Sequence, residues 1–106
     1  MENELKIYPN YFEDVISGKQ KFEIRKNDRK FAIGDVLILK EWDNIKYSGR
    51  LVRAEVIYLL SDNFIGIQPG YVVMGIKKLE NRDYVGKAQE DLEAWNRRAG
   101  EQNETD

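Results

Sequence analysis

The chain has 106 residues, enough for one compact domain and too few for two. Its 19 acidic and 17 basic side chains leave a net charge of −2, so overall charge announces no polyanionic partner. It has no cysteine and no histidine, which excludes disulfide scaffolds, thiol nucleophiles, cysteine-ligated zinc and imidazole acid–base chemistry.

A domain of this size buries roughly 65% of its unfolded-chain surface, sufficient for a core without staples. With 42% apolar and 34% charged residues it reads as globular with a heavily charged surface. Met1-Glu-Asn-Glu lacks the basic and apolar pattern of a signal peptide, and no apolar stretch is long enough to span a bilayer. A soluble, cytoplasmic protein without a membrane partner is therefore expected. Carboxylate-bound Mg²⁺ is compatible with the composition, but no motif demands a cofactor or metal, and none is expected.

Leu5-Lys6-Ile7-Tyr8 alternates and predicts a first short strand, interrupted by Pro9. Asn10 with Glu13 three residues on has the form of a capping box. Phe12, Val15 and Ile16 follow at helical spacing, and Gly18 suits the position after a helix end, so residues 10–17 form a short helix. Lys21-Phe-Glu-Ile-Arg25 alternates strictly: Phe22 and Ile24 share one face, and Lys21, Glu23 and Arg25 the other. Lys26 to Arg29 reads as a loop, and Ile33-Gly34-Asp35 as a turn into a buried strand from Val36 to Trp42. Asp43-Asn44 and Ser48-Gly49 frame a hairpin-like connection. Leu51–Leu60 is a long strand with Val52, Ala54, Val56 and Tyr58 on one face. Residues 61–70 are loop, and Tyr71–Ile76 is another buried strand. Val85, Ala88, Leu92 and Trp95 fall on one helical stripe that ends near Gly100, with Arg97 and Arg98 in its last turn. Short strands separated by turns point to a sandwich or a small closed barrel. Residues 1–80 form the barrel, and 81–106 add a C-terminal helix and polar tail to the same domain. Leu92 and Trp95 dock that helix on the barrel or, alternatively, form a homodimer or partner-protein surface.

Charge is unevenly placed. Residues 19–30 carry six Lys or Arg against two acids, whereas residues 80–106 carry eight acids against four Lys or Arg. A local basic patch attracts phosphate despite a slightly negative total. On the alternating face, Glu23 stands between two cations that favour its ionised form, making it an acceptor or a base. Arg25 has the fork to meet a phosphate or a base edge. Lys26, Arg29 and Lys30 extend the patch, and Trp42, Tyr47, Phe64 and Tyr71 are the aromatics for stacking, no more than two of them expected at a site. A solvated strand face with alternating charge satisfies the same periodicity. Glu90, Asp91 and Glu93 read as helix surface rather than a metal site.

Gly18-Lys-Gln-Lys-Phe-Glu-Ile-Arg25 resembles the Gly-x-Lys-x-x-Glu-x-Arg signature of the ASCH domains (activating signal cointegrator homology) of the PUA-like superfamily, with Gly18, Glu23 and Arg25 matching. Leu5-Lys-Ile-Tyr-Pro-Asn-Tyr-Phe12, Ile33-Gly-Asp-Val36, Tyr47-Ser-Gly-Arg50 and Gly70-Tyr-Val-Val-Met-Gly75 extend the likeness to about residues 4–78, in a small bacterial and phage branch of unknown function. The resemblance implies a mainly β (α+β) fold: a small PUA-like β-barrel, one end closed by the short helix, with the motif lining a cleft beside it. It links the chain to RNA or a modified nucleoside as ligand, and the residues expected to bind it are Lys19, Lys21, Glu23, Arg25, Lys26, Arg29, Trp42, Arg50 and Tyr71. Some relatives are hydrolases acting on 4-acetylcytidine or RNA. Here the motif lysine is replaced by Gln20, and the threonine of the amidohydrolase branch falls at Glu23. Catalysis, if present, is expected from Glu23 as base with Lys21 or Arg25 stabilising the anion.

Overall fold

Alternation governs the first strand, β1 (Glu2–Ile7), where Asn3, Leu5 and Ile7 are buried. In this computed structural model, residues 1–79, 84–85 and 89–102 are described. Helix α1 (Pro9–Ile16) starts one residue earlier than the capping-box pattern predicts. Proline is pre-organised for a first helical position and has no N–H to leave unpaired there. Tyr8 is thus the N-cap, extended and without a side-chain cap bond, and Asn10 lies inside the helix. Phe12 and Val15 are its buried residues. Its end follows the expectation: Gly18, at φ +83°, turns the chain and donates its N–H to Val15 O over 3.1 Å.

Strands β2 (Phe22–Lys26), β3 (Val36–Trp42), β4 (Tyr47–Leu60) and β5 (Tyr71–Lys78) complete the main sheet, in the order β1-β3-β4-β5-β2. β1 runs parallel to β3, and the other neighbours are antiparallel. A short β6 (Tyr84–Val85) adds to β4 beside Arg50 and Leu51, so Val85 belongs to a strand and not to the predicted helical stripe. Ala88 of that stripe, and the tail beyond Gln102, lie outside the described residues. Helix α2 spans Gln89–Gln102 and continues through Gly100.

The core gathers Phe12 and Val15 with Leu5, Leu37, Leu39, Val52, Val56, Val72 and Met74. The opposite face of β3 is also covered: Lys40 Nζ lies 4.0 Å from the Trp95 ring, and Asn96 Oδ1 accepts the Tyr47 N–H at 2.6 Å. Two register shifts, between Lys40 and Trp42 and between Val56 and Tyr58, bend the sheet. The second makes Ile57 an extra residue, which breaks the alternation and leaves Tyr58 60% exposed, away from Val52, Ala54 and Val56. The predicted hairpin is shorter than expected. Its turn is Asp43 to Lys46, where Asp43 Oδ1 accepts the N–H groups of Ile45 and Lys46 at 2.9 and 2.8 Å; Ser48 and Gly49 already lie in β4.

The result is a half-barrel with a short helix after β1 and a second helix at the C-terminal end. β1 and β2, the two ends of the sheet, share no backbone ladder. Their seam is bridged by side chains: Arg25 Nη2 donates to Lys6 O at 2.7 Å and Arg29 Nη1 to Glu4 O at 2.6 Å. Among the described residues no helix is long and apolar enough to cross a membrane.

Candidate functional site at the β1–β2 seam

Strand β2 alternates as predicted, and its charged face is the inward one. Glu23 is 6% exposed, whereas Phe22 and Ile24 are 50% and 55% exposed. The solvated-face alternative therefore does not describe this strand. The seam explains the inversion. β1 presents unpaired carbonyls there, and an apolar side chain would leave them without donors. Arg25 supplies one, and Glu23 balances the charge that Arg25 brings in. Lys21 precedes the strand, is exposed, and leaves the alternation.

The polar network is continuous. Gln20, at the signature's lysine position, donates Nε2 to Glu23 Oε1 at 3.1 Å and to Phe22 O at 2.8 Å. Arg25 Nε donates to Glu23 Oε2 at 2.8 Å. Both carboxyl oxygens are thus engaged. Burial raises the Glu23 pKa above its ordinary value, against the opposing charge and hydrogen bond of Arg25. Among the described residues, Arg25 donates through Nε and Nη2, and no hydrogen bond from Nη1 is found.

Along this seam lies a cavity of about 640 Å³. Of the residues expected at a site, Glu23, Arg25, Lys26, Trp42 and Tyr71 line it. Lys19, Lys21, Arg29 and Arg50 do not. Arg29 is drawn to Glu4 O and lies 4.0 Å from Asp28. Arg50 pairs with Glu13 at 2.9 Å and Glu41 at 3.8 Å, and its guanidinium covers Phe12 at 4.6 Å, so it fastens α1 to the sheet. Trp42 is buried, with Lys6 Nζ 4.4 Å from its ring centroid and the Tyr47 ring at 5.0 Å, so protein groups already pack against it. Tyr47 also meets Trp95, and Phe64 is exposed in the 61–70 loop away from the cavity.

Sequence reasoning missed the lining residues Tyr8, Tyr11 and Phe22, each about half exposed. A signal existed for the tyrosines. Pro9 sets the helix start, so Tyr8 and Tyr11 stand three apart on the first turn while Phe12 takes the buried position. Phe22 was legible only once the inward face of β2 was known. Among the described residues no group of three or more Asp or Glu is placed to hold a metal ion.

Residues 3–76 match the family described as a domain of unknown function, DUF3850. A relative from Escherichia phage P2, an uncharacterized 12.9 kDa protein in the GpA 3′ region, is 43% identical over 54 residues, 51% of this chain and 50% of that protein. The chain thus matches about half the length of that relative. Among solved structures, the ASCH protein from Zymomonas mobilis superposes with a TM-score of 0.53 at 13% identity, covering 83% of this chain and 75% of that one. The hypothetical protein PH0355 gives 0.52 at 18% identity, covering 74% of this chain and all of the other. Such identities speak to fold alone, and the fold is that of the ASCH and PUA-like domains expected from the Gly18–Arg25 signature. With the family match spanning most of the half-barrel, the chain belongs to the DUF3850 family.

Proposed function

We propose that the seam cavity holds one base of an RNA or a modified nucleoside. The observation that carries this reading is the placement of three half-exposed aromatic rings, Tyr8, Tyr11 and Phe22, around the buried Glu23–Arg25 pair. Unstacked bases bind on such rings, each worth about 1–3 kcal/mol, while polar groups read their edges. Arg25 Nη1 offers a donor, the Glu23 carboxylate an acceptor, and Lys26 a cation at the cavity wall. Tyr11→Ala tests it: the affinity for a single-stranded RNA or nucleoside falls roughly 5- to 150-fold in a fluorescence titration. Binding unchanged in both Tyr11→Ala and Phe22→Ala, at low and high salt, overturns the reading. Arg25→Ala is a poorer probe, because it also opens the seam at Lys6 O.

The raised Glu23 pKa favours a second reading, hydrolysis of a nucleoside or RNA with Glu23 as proton carrier. Gln20 in place of the signature lysine weighs against an amidohydrolase. A nucleoside-hydrolysis and RNA-cleavage screen decides it, and turnover that survives Glu23→Gln excludes this mechanism.

A further inference from the structure

Some cations of this fold are held by a carboxylate and others are not. Arg25, Arg29, Lys40, Arg50 and Arg53 each face a carboxylate. Lys19, Lys21, Lys26, Lys30 and Lys77 have no carboxylate within 4 Å among the described residues, and neither do Lys46, Lys78, Arg97 and Arg98. Four of these follow β2, whereas Lys46, Lys78, Arg97 and Arg98 lie elsewhere in the fold. Lys19 and Lys21 lead into the strand, Lys26 ends it, and Lys30 lies four residues beyond. Lys77 joins them from β5: Ile76 N donates to Lys21 O at 3.0 Å, so Lys77 is next to the residue opposite Lys21. Glu55 of β4 stands directly opposite Lys77 in the register, though without an ion pair within 4 Å among the described residues. Lys19, Lys21 and Lys77 are all exposed.

This rim adjoins the cavity. Gln20, between Lys19 and Lys21, is part of the cavity wall, and so is Lys26 farther along. The edge from Gln20 to Lys26 spans up to roughly 20 Å of extended chain. Lysines on an edge strand also discourage unwanted strand pairing. That role does not account for Lys77, which sits on the interior strand β5, nor for Lys19, which lies outside any strand. Exposed lysines without a close ion pair, beside a base-sized cavity, have the form of a phosphate track.

We propose that the ligand is a single-stranded nucleic acid rather than a free nucleoside: one base enters the cavity while Lys19, Lys21 and Lys77 hold phosphates flanking it. This rests on the base-binding reading of the cavity. A duplex does not satisfy it, because the base must leave its stack to enter.

The test uses the full chain with a mixed-sequence single-stranded RNA of about 12 nucleotides, the same sequence as DNA, and the four ribonucleosides. The oligonucleotide is expected to bind at least about 100-fold more tightly than any nucleoside. In the Lys19→Ala/Lys21→Ala/Lys77→Ala variant, oligonucleotide affinity falls at least about tenfold. The slope of log K against log salt becomes shallower by about 2, near 0.7 for each lost phosphate contact. Nucleoside binding stays unchanged. Equal losses on RNA and DNA identify the phosphate backbone as the contact, as expected. Unchanged oligonucleotide affinity and slope in the triple variant, with Tyr11→Ala still weakening nucleoside binding, overturn the phosphate track and leave the cavity reading intact. Failure of wild-type protein to bind any probe removes the cavity reading, and this inference with it.

Discussion

Glu23 and Asp43 are carboxyls with opposite pH behaviour. Burial holds the Glu23 pKa above its ordinary 4.5, so the folded state binds this proton more tightly than the unfolded chain. The stability it contributes is fully present below the unfolded pKa and is lost as pH rises through the folded value. Glu23→Gln does not titrate. The melting temperature of wild type relative to Glu23→Gln is therefore expected to fall as pH rises from about 4 toward neutrality. A flat difference across that range contradicts the assignment. Asp43 runs the other way. The Lys46 and Ile45 N–H groups lower its pKa, so its contribution is present above the unfolded value and is lost as pH falls through the folded one. Asp43→Ala should destabilise the chain at neutral pH and make less difference in strong acid, as read from melting curves. The identities of Glu23 and Arg25 as site candidates could be read from residues alone. Their direction could not, because a period of two says which side chains share a face and not which face is covered.

At the scale of elements, most strands were legible and their breaks were not. The alternation in β1 and the apolar run in β3 translate directly into burial, and Gly18 marks the end of α1. The Ile57 bulge was invisible, since Val56, Ile57 and Tyr58 are all strand-forming residues and the extra residue depends on pairing with Gly75 and Ile76. β2 inverted because its burial is set by β1, which ends fifteen positions upstream and is not laddered to it, rather than by its own hydrophobicity. That makes the Glu23–Arg25 pair a structural clasp as well as a candidate reader of ligand. Arg25→Met should cost about 3–5 kcal/mol in urea unfolding, as expected when one partner of a buried pair is left behind. Glu23→Leu/Arg25→Met should cost less than the single change, since the stranded carboxylate is removed too. An additive or larger loss in the double variant would show that the bond to Lys6 O, rather than the charge pair, dominates.

Considered whole, the molecule is a sheet that curls nearly to closure and is fastened across its gap by guanidinium groups. A backbone ladder joins β3, β4 and β5 on both sides, so opening any of them breaks two sets of hydrogen bonds. β1 and β2 each have one laddered side and one side facing the seam. The resemblance conveyed the barrel but not this unsealed edge, because β1–β2 closure depends on sheet coiling and leaves no local pattern. The seam also contains the cavity, so a ligand there would join two strands that are bridged by the Arg25 and Arg29 side chains and by no backbone ladder among the described residues. Native-state hydrogen exchange should therefore show slowest exchange in β3, β4 and β5, with the seam-facing amides of β1 and β2 opening at lower free energy. Arg29→Ala removes the clasp at Glu4 O without disturbing the Glu23–Arg25 pair. It should speed exchange along β1 and β2 several-fold while shifting the melting temperature little, since this bond lies on the exposed rim. Oligonucleotide binding should slow the same amides in both proteins, since a ligand spanning the seam stabilises its closed form in proportion to its occupancy. Protection confined to the 61–70 loop or to α2 would place the binding surface elsewhere and separate the seam's opening from ligand capture.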